Sequence, residues 1–204
     1  ELHKYINTQW KYEWENRKTK YKNSPWRNIW KYNKKFHKKL NKLMNYFNDD
    51  QNNVLIRLIT DHIELKEYLH RFNLKDLNDR PILSPYCSHC PWKRDNANHL
   101  IIKCKRYNKQ REELWKALNK INQKFYHRKY HHKIQFVLFP YTVKSNTMRQ
   151  CIQIWNELLR YIHKTRRLHG LNKYIKMDNI TQNHRILNKK YLPKTKKTNK
   201  DHQN

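Results

Sequence analysis

Residues 87–104 read CSHCPWKRDNANHLIIKC and place Cys87, Cys90, His99 and Cys104 in the spacing C-x2-C-x8-H-x4-C. Three thiolates and one imidazole are a ligand set that holds Zn²⁺ in a closed tetrahedron, with Zn–S distances near ~2.3 Å. Because all four ligands would come from the protein, water and substrate have no open position on the ion. The spacing therefore predicts a structural Zn²⁺ site, and we call residues 87–104 the hook.

A disulfide pair and a chance spacing are the two other interpretations of these cysteines. Disulfide frameworks are typical of exported chains with a signal peptide, and Glu1 to Trp10 is polar and aromatic without an apolar core. Pro85 and Pro91 bracket the first cysteine pair, and a polar stretch at 95–98 precedes the apolar 99–102. A metal-binding hairpin followed by an apolar anchor needs turn-forming residues at these positions, so the sequence favours the metal site.

The charge of the chain indicates its partner. Among 204 residues, 46 are Lys or Arg and 16 are Asp or Glu, which gives a formal net charge of +30. A surface of this sign attracts polyanions, so we expect nucleic acid as the partner, with RNA ahead of DNA although both fit. AT-rich codon usage, a membrane surface or an acidic protein partner are alternative explanations. No apolar run approaches the ~20 residues of a membrane span, so we expect no membrane partner.

The apolar spacing is helical along most of the chain and divides it into four segments. These are a basic, aromatic-rich helical segment at 1–48, a helical region with the hook at 49–122, a helical segment at 123–170 and a basic tail at 171–204. Bulky residues recur every four positions from Leu2 to Trp14, as on one helix face. The predicted fold class is mostly α, with small helical domains around a zinc hook and a disordered tail.

Start and stop signals locate the shorter helices. Asp50 is the predicted N-cap of one helix, and two more are predicted at Leu65 to Phe72 and at Tyr107 to Ile121. Residues 129–133 are interpreted as a basic junction before a short apolar run that Pro140 stops.

The longest helix is predicted between Ser145, as its N-cap, and Gly170, just past its end. Cys151 lies near its apolar face and far in sequence from the hook, which favours a small buried thiol over a metal ligand. His89 is an alternative ligand to His99, although the x8 gap favours His99. The predicted buried face consists of Met148, Ile152, Trp155, Leu159 and Ile162.

Clustered cations are the predicted contacts to nucleic acid, because phosphates exchange their condensed counterions for Lys and Arg. Rings interleaved with these cations, such as Trp26 and Trp30, could stack bases, but a small core is the favoured role for them. The predicted contacts are Lys34, Lys35, Lys38, Lys39, Arg71, Lys103, Lys105, Arg106, Arg111, Arg128, Lys129, Lys133, Arg166 and Arg167.

The sequence predicts no catalytic residues, and we expect a protein that is not an enzyme by itself. Phe47-Asn48-Asp49-Asp50 echoes the Y-x-D-D hairpin of reverse transcriptases, but polar neighbours suit a helix end and a cap better than apolar strands. A glycine-rich phosphate loop is excluded because Gly170 is the only glycine.

Several short words occur in a fixed order around the hook. LIRLITDH at 55–62, YLHRF at 68–72, the hook ligands, Arg106-Tyr107 and Arg111 resemble the C-terminal region of reverse transcriptases from jockey-like non-LTR retrotransposons. The resemblance covers about residues 10–168. Two departures are Asp61, where the family usually has Gly, and Lys93, Arg94 and Asp95, which replace an acidic insert.

The resemblance implies a zinc-hook, nucleic-acid-binding segment downstream of a polymerase that the segment itself lacks. Such a protein would be intracellular and nuclear. The alternative is a structural rRNA-binding zinc protein associated with the ribosomal particle. Because the chain begins at Glu1 rather than Met, we expect a fragment or processed piece, which favours the first. The sequence carries no indication of oligomeric state.

Overall fold

A computed structural model describes residues 34–76 and 78–168 of the chain. The predicted stripe from Leu2 to Trp14, the tryptophans at 26 and 30 and the predicted tail lie outside the described residues. The described part is mostly helical, as predicted. Its helices are α1 (Lys34–Met44), α2 (Asp49–Thr60), α3 (Lys66–Arg71), α4 (Asn108–Ile121), α5 (Tyr130–Leu138) and α6 (Met148–Thr165), with single π or 3-10 turns at His99–Lys103, Lys105–Tyr107 and Pro140–Thr142.

Helix α6 is the centre of the fold and contacts α1, α2, α4 and α5. Its predicted buried face is confirmed, because Ile152, Trp155, Leu159 and Ile162 are buried and Met148 packs partly buried against the core. Cys151 is a free, fully buried thiol, also as predicted, and burial raises its pKa to about 11.

The N-caps of α2 and α6 differ from the predicted ones. Asn48, not Asp50, caps α2, and its side chain accepts a hydrogen bond from the backbone of Gln51 while the Gln51 side chain bonds the Asn48 N–H. Thr147, not Ser145, caps α6 through the same reciprocal pair of bonds with Gln150. In both helices the cap is the residue three positions before a glutamine, which is the geometry of a capping box.

The other corrections concern α5 and the end of α6. The predicted basic junction at 129–133 is instead the start of α5, with Lys129 as its N-cap, and the exposed side chains of 129–132 let the helix begin here without burying their charges. Helix α6 ends at Arg166, which adopts φ 48° in the left-handed region, several residues before the predicted stop at Gly170. Gly170 itself lies outside the described residues.

One continuous core joins the described parts of the predicted segments. It includes Leu43 from the first, Leu58 and Leu118 from the second and Leu158 from the third. Within the described ranges, no helix combines the length and the apolar character needed to cross a membrane. The hook and the π turn at His99–Lys103 lie against this core, so folding of the helices fixes the hook.

Candidate metal centre

Folding brings the four predicted ligands together. The side-chain ligand atoms of Cys87, Cys90, His99 and Cys104 all lie within 4.8 Å of one another, and all four residues are buried. The Cys87 and Cys90 sulfurs are 3.9 Å and 4.0 Å from the Cys104 sulfur. Two sulfurs at ~2.3 Å from an ion at the centre of a tetrahedron would be ~3.8 Å apart. The sulfurs therefore have the spacing of a tetrahedral metal site.

The chemistry of the donor set also fits a metal ion. The cysteines are free, and sulfurs almost 4 Å apart are too distant for an S–S bond of ~2.05 Å. The Nε2 atom of His99 is buried and has no hydrogen-bond partner among the described residues. Such an orphaned buried nitrogen is costly unless something binds it. A cation held by this nitrogen and the three sulfurs would compensate that cost.

The first two ligands lie on a short hairpin. The Cys87 N–H donates to the Lys93 carbonyl at 2.8 Å, and Tyr86 and Arg94 pair as an isolated antiparallel bridge. Inside the turn, the His89 N–H points at the Cys87 sulfur at 3.4 Å. Amide hydrogens that point at sulfur stabilise the thiolate form, which is the form that binds metal. The turn between the two cysteines thus prepares them as ligands.

A single π turn delivers His99 and Cys104. The Cys104 N–H donates to the His99 carbonyl at 2.8 Å, a bond that spans five residues and sets the two ligands one turn apart. Leu100 and Ile101 are buried in this turn, which confirms the predicted apolar anchor. The Tyr161 hydroxyl of α6 donates to the Leu100 carbonyl at 2.6 Å and ties the turn to the central helix.

Arg111 supports the last ligand from α4. It is 6% exposed, and its Nη1 donates to the carbonyl of Cys104 at 2.8 Å while Nη2 bonds the Asn108 side chain. The Lys105 N–H points at the Cys90 sulfur at 3.4 Å. Sequence reasoning placed Arg111 among the nucleic-acid contacts, and the structure instead places its guanidinium inside the fold against the metal site.

One buried carboxyl group, that of Asp95, and one half-buried carboxyl group, that of Asp61, support the hook. Asp95 is 2% exposed, accepts from the Lys66 N–H at 3.2 Å and pairs with Arg167 at the end of α6. Asp61, the C-cap of α2, accepts from the Ala97 N–H at 3.0 Å. Sequence reasoning gave neither residue a role in the site. The sequence did carry one sign that Asp61 is unusual, because the resembling family usually has Gly at this position. The backbone here has φ 57°, in the left-handed region that favours Gly.

Burial raises the pKa of Asp61 from its usual 3.8 to about 6, against the opposing effects of the Ala97 N–H and, more weakly, Arg71, and with a smaller contribution from the neighbouring charge of Glu67. A carboxyl whose pKa is higher in the folded than in the unfolded chain contributes stability that is complete below the unfolded pKa. That contribution is lost as the pH rises through the folded pKa, here between pH 4 and 6. Ionised Asp61 therefore lowers the free energy of unfolding near neutral pH by up to about 3 kcal/mol.

The electrostatics of the ligands reflect the same burial. Burial, together with smaller contributions from the neighbouring Cys87 and Cys90, raises the pKa of Cys104 to about 12 against the opposing backbone hydrogen bond of Arg106. Burial also lowers the pKa of His99, so the imidazole is neutral at pH 7. A metal ion favours both states, because it binds neutral imidazole and stabilises thiolates that a buried apolar site would otherwise protonate. The pocket thus has the ligands for a cation.

The predicted nucleic-acid contacts separate into exposed and internally used side chains. Lys39 donates to the Asn146 carbonyl at 2.9 Å, Arg128 lies over the Phe136 ring at 4.9 Å, and Lys133 lies over Trp115 at 4.7 Å. Lys34 and Lys35 belong to the first turn of α1, and their side chains lie outside the described part. The exposed members are Lys38, Arg71, Lys103, Lys105, Arg106, Lys129 and Arg166.

Three of the exposed cations flank the last ligand. Lys103, Lys105 and Arg106 lie immediately on either side of Cys104, and we call them the rim. Arg106 approaches the exposed His89, with Nη1 3.1 Å from Nε2. This contact places His89 on the surface, and it is not part of the cluster of ligand atoms. The rim lysine at 103 also lines an open groove with Trp115 and Tyr130.

Asp49 and Asp50 occupy the first turn of α2, directly after the cap. The structure therefore confirms that this Y-x-D-D-like motif lies at a helix start and not in a strand hairpin.

The described residues build a closed site of three sulfurs and one nitrogen, which is compatible with a bound metal ion and lies beside an exposed cationic rim. Comparison of the chain with protein-family models, with curated proteins and with solved structures finds no match.

Proposed function

We propose that this chain is a nucleic-acid-binding segment of a retrotransposon-type reverse transcriptase polyprotein, in which the hook is a structural Zn²⁺ site. RNA is the preferred ligand, and the segment has no polymerase chemistry of its own. The observation that carries the proposal is the arrangement of four buried ligand atoms within 4.8 Å, with the three exposed rim cations on either side of Cys104.

The donor set supports zinc as the metal. Soft thiolate ligands select zinc or iron–sulfur chemistry among the common biological metals, and a closed tetrahedral Cys3His set is a structural zinc ligand set. When bound, the ion would supply charge compensation for the thiolates and a covalent link between the hairpin and the π turn. Cys87, Cys90, His99 and Cys104 would hold it.

The charge pattern supports nucleic acid as the ligand. Rim cations that a metal site holds in place lose less conformational entropy on binding than cations on a flexible chain. Phosphate contacts of this kind give affinity without base specificity, and a chain with a net charge of +30 has many of them to offer. Trp115 and Tyr130 line the groove beside Lys103 on the same surface.

The backbone at Asp61 supports the retroelement resemblance. The resembling family usually has Gly here, and in this chain the position is a left-handed C-cap with φ 57°, where Gly is the least strained residue. Asp is one of the few other residues that tolerate this conformation. The departure at Asp61 is therefore compatible with a position at which the backbone favours Gly.

Filter binding of zinc-loaded protein to single-stranded RNA across a salt series tests the proposal. The logarithm of the association constant should fall linearly with the logarithm of salt concentration, by about 0.7 per phosphate contact. Replacing Lys103, Lys105 and Arg106 by Ala should shallow the slope by up to about 2, because three contacts at about 0.7 each are lost. Removal of three exposed lysines of equal charge at 116, 120 and 124 is the matched control and should change it less.

Three results would contradict the proposal. A wild-type protein that does not bind RNA at about 50 mM salt, where phosphate contacts are strong, has no such function. Equal slopes for the two triple variants would show that charge alone, without the hook, directs binding. Purified protein without stoichiometric zinc, or with zinc that survives Cys104→Ser at full occupancy, would refute the metal assignment.

A further inference from the structure

The tip of the hook carries an aromatic residue that neither packing nor backbone preference explains. Trp92 is 83% exposed, and its backbone lies in the left-handed region with φ 61°. Bulky residues are rare in this conformation because the Cβ atom crowds the following carbonyl. An exposed side chain on a strained backbone gains nothing for the fold, and such an outlier is a reason to look for a function.

A second ring lies beside the first. The Tyr86 ring is 6.1 Å from the Trp92 ring with an interplanar angle of 66°, and Tyr86 is 38% exposed. Because the Tyr86 and Arg94 backbones pair across the hairpin, the two rings are carried by the metal-binding turn itself. An edge-to-face pair of this kind restrains the indole and leaves one of its faces open.

The surroundings of the rings are cationic. Lys93 and Arg94 follow Trp92 and are exposed. Arg94 bonds Glu67 at 3.0 Å, which fixes the base of the hairpin, while Lys93 has its backbone in the hairpin ladder. Exposed rings next to fixed cations are the elements that hold single strands, since the ring stacks on a base while the cation meets the phosphate.

We infer that Trp92, restrained by Tyr86, is a stacking platform for an unpaired base of single-stranded nucleic acid. The inference rests on the proposed function and adds the position and kind of contact. Bases in a duplex present only edges, so a free indole face selects strands whose bases are unstacked. The net charge of the chain and the exposed Lys93 beside the ring favour this ligand over an apolar protein surface.

Binding of zinc-loaded variants to oligouridylate at fixed salt tests the platform. Trp92→Gly removes the ring and suits the left-handed backbone, so the hook should keep its zinc while the affinity falls roughly 5- to 150-fold, the effect of losing one stacked base. Trp92→Phe and Trp92→Leu share the backbone cost and have similar bulk, but only Phe has a π face. The affinity of Trp92→Phe should therefore stay within about threefold of wild type, whereas Trp92→Leu should lose most of the affinity that stacking contributes.

Tyr126, which lies outside the hook in sequence and is 43% exposed, is the matched control, and Tyr126→Ala should leave the affinity within about twofold. The wild-type preference for oligouridylate over a duplex should also collapse in Trp92→Gly. Wild-type affinity in Trp92→Gly or Trp92→Leu, or an equal loss in Tyr126→Ala, overturns the platform while the proposed function stands. If Trp92→Gly loses its zinc, the RNA affinities of Trp92→Phe and Trp92→Leu decide whether the ring acts as a stacking platform. If the wild-type protein does not bind RNA, the proposed function itself is wrong.

Discussion

Replacement of Arg111 by Ala should weaken the metal site from a distance, although the residue belongs to no ligand set. Its guanidinium is 6% exposed, donates to the Cys104 carbonyl at 2.8 Å and lies 5.8 Å from the centre of the Trp115 ring. The variant removes the charged donor to the Cys104 carbonyl, which keeps only the Tyr107 N–H at 3.3 Å, and it leaves a gap where the arginine stem packed.

The size of the effect follows from those contacts. A hydrogen bond from a charged donor contributes about 1.5–3 kcal/mol, and the lost packing adds to it, so the free energy of unfolding should fall by about 2–4 kcal/mol. Removing a group that orients a metal ligand typically costs about 10- to 100-fold in metal affinity. Arg111→Lys keeps the charge but cannot donate in two fixed directions, so its loss should be intermediate.

Chelator competition measures the metal affinity, and urea unfolding followed by circular dichroism measures the stability. Arg106→Ala is the control, because it removes the same charge two residues from Cys104 but from an exposed position. It should change the stability by no more than about 0.5 kcal/mol. If Arg111→Ala keeps wild-type metal affinity and stability and changes only RNA binding, Arg111 is a surface contact and the reasoning is wrong.

The remaining predictions concern the metal ligands, the carboxyl group of Asp61 and the acidic pair Asp49 and Asp50 at the start of α2. Cys90→Ser should lose the stoichiometric zinc and the hydrogen-exchange protection of residues 80–110, because ligation and local folding are coupled; elemental analysis and exchange measurements check this. Asp61→Asn should raise the free energy of unfolding by about 1–3 kcal/mol at pH 7.5, and the difference from wild type should vanish near pH 4, where the native carboxyl is also neutral; a constant difference in urea titrations at both pH values would refute the burial argument. With template, primer and Mg²⁺, the protein should incorporate no nucleotide, and incorporation that Asp49→Asn plus Asp50→Asn abolishes would show it to be a polymerase.

Helical periodicity predicted the buried faces well because it is a local property. The predicted stripe of α6 through Ile152 and Leu159 is buried, and Leu114 and Leu118, four positions apart on the predicted helix α4, are buried as well. Residues three or four apart share a face whatever the rest of the fold does. The prediction therefore needed no knowledge of the partners that cover these faces.

The caps were missed by two residues because several residues at each start can cap a helix. Asn48 and Thr147 prevail over their polar neighbours because each has a glutamine three positions on, Gln51 and Gln150, which returns a bond to the cap backbone. A cap with this reciprocal bond satisfies one more backbone donor than a cap alone. The glutamines were visible in the sequence and would have decided both positions.

The end of α6 was missed for a different reason. Glycine normally marks a left-handed C-cap, and this chain has one glycine in 204 residues. Asp61 and Arg166 occupy the left-handed caps of α2 and α6 instead, with φ 57° and 48°. In a chain that is depleted in glycine, the usual sign of a helix end is missing from the sequence. The C-cap still adopts the left-handed conformation, and other residues occupy it at a small steric cost.

The ligands of the candidate site were predictable and their supports were not. All four ligands lie within one stretch of 18 residues, so their spacing alone indicates the chemistry. The contacts that hold the stretch span far longer separations, 36 residues from Asp61 to Ala97 and 61 from Leu100 to Tyr161. No local pattern encodes such pairs, because only the packing of α2 and α6 against the hook brings them together.

The distribution of charge around the hook separates its folding from its binding. Two acidic groups lie at the base of the hook, where Asp95 pairs with Arg167 and Glu67 pairs with Arg94. Acids at the base neutralise the cations that folding needs close together, while the rim and the tip keep theirs exposed. Substitutions at the base should therefore lower stability first and affinity only as a consequence, whereas substitutions at the rim and at Trp92 should lower affinity in a protein that still folds.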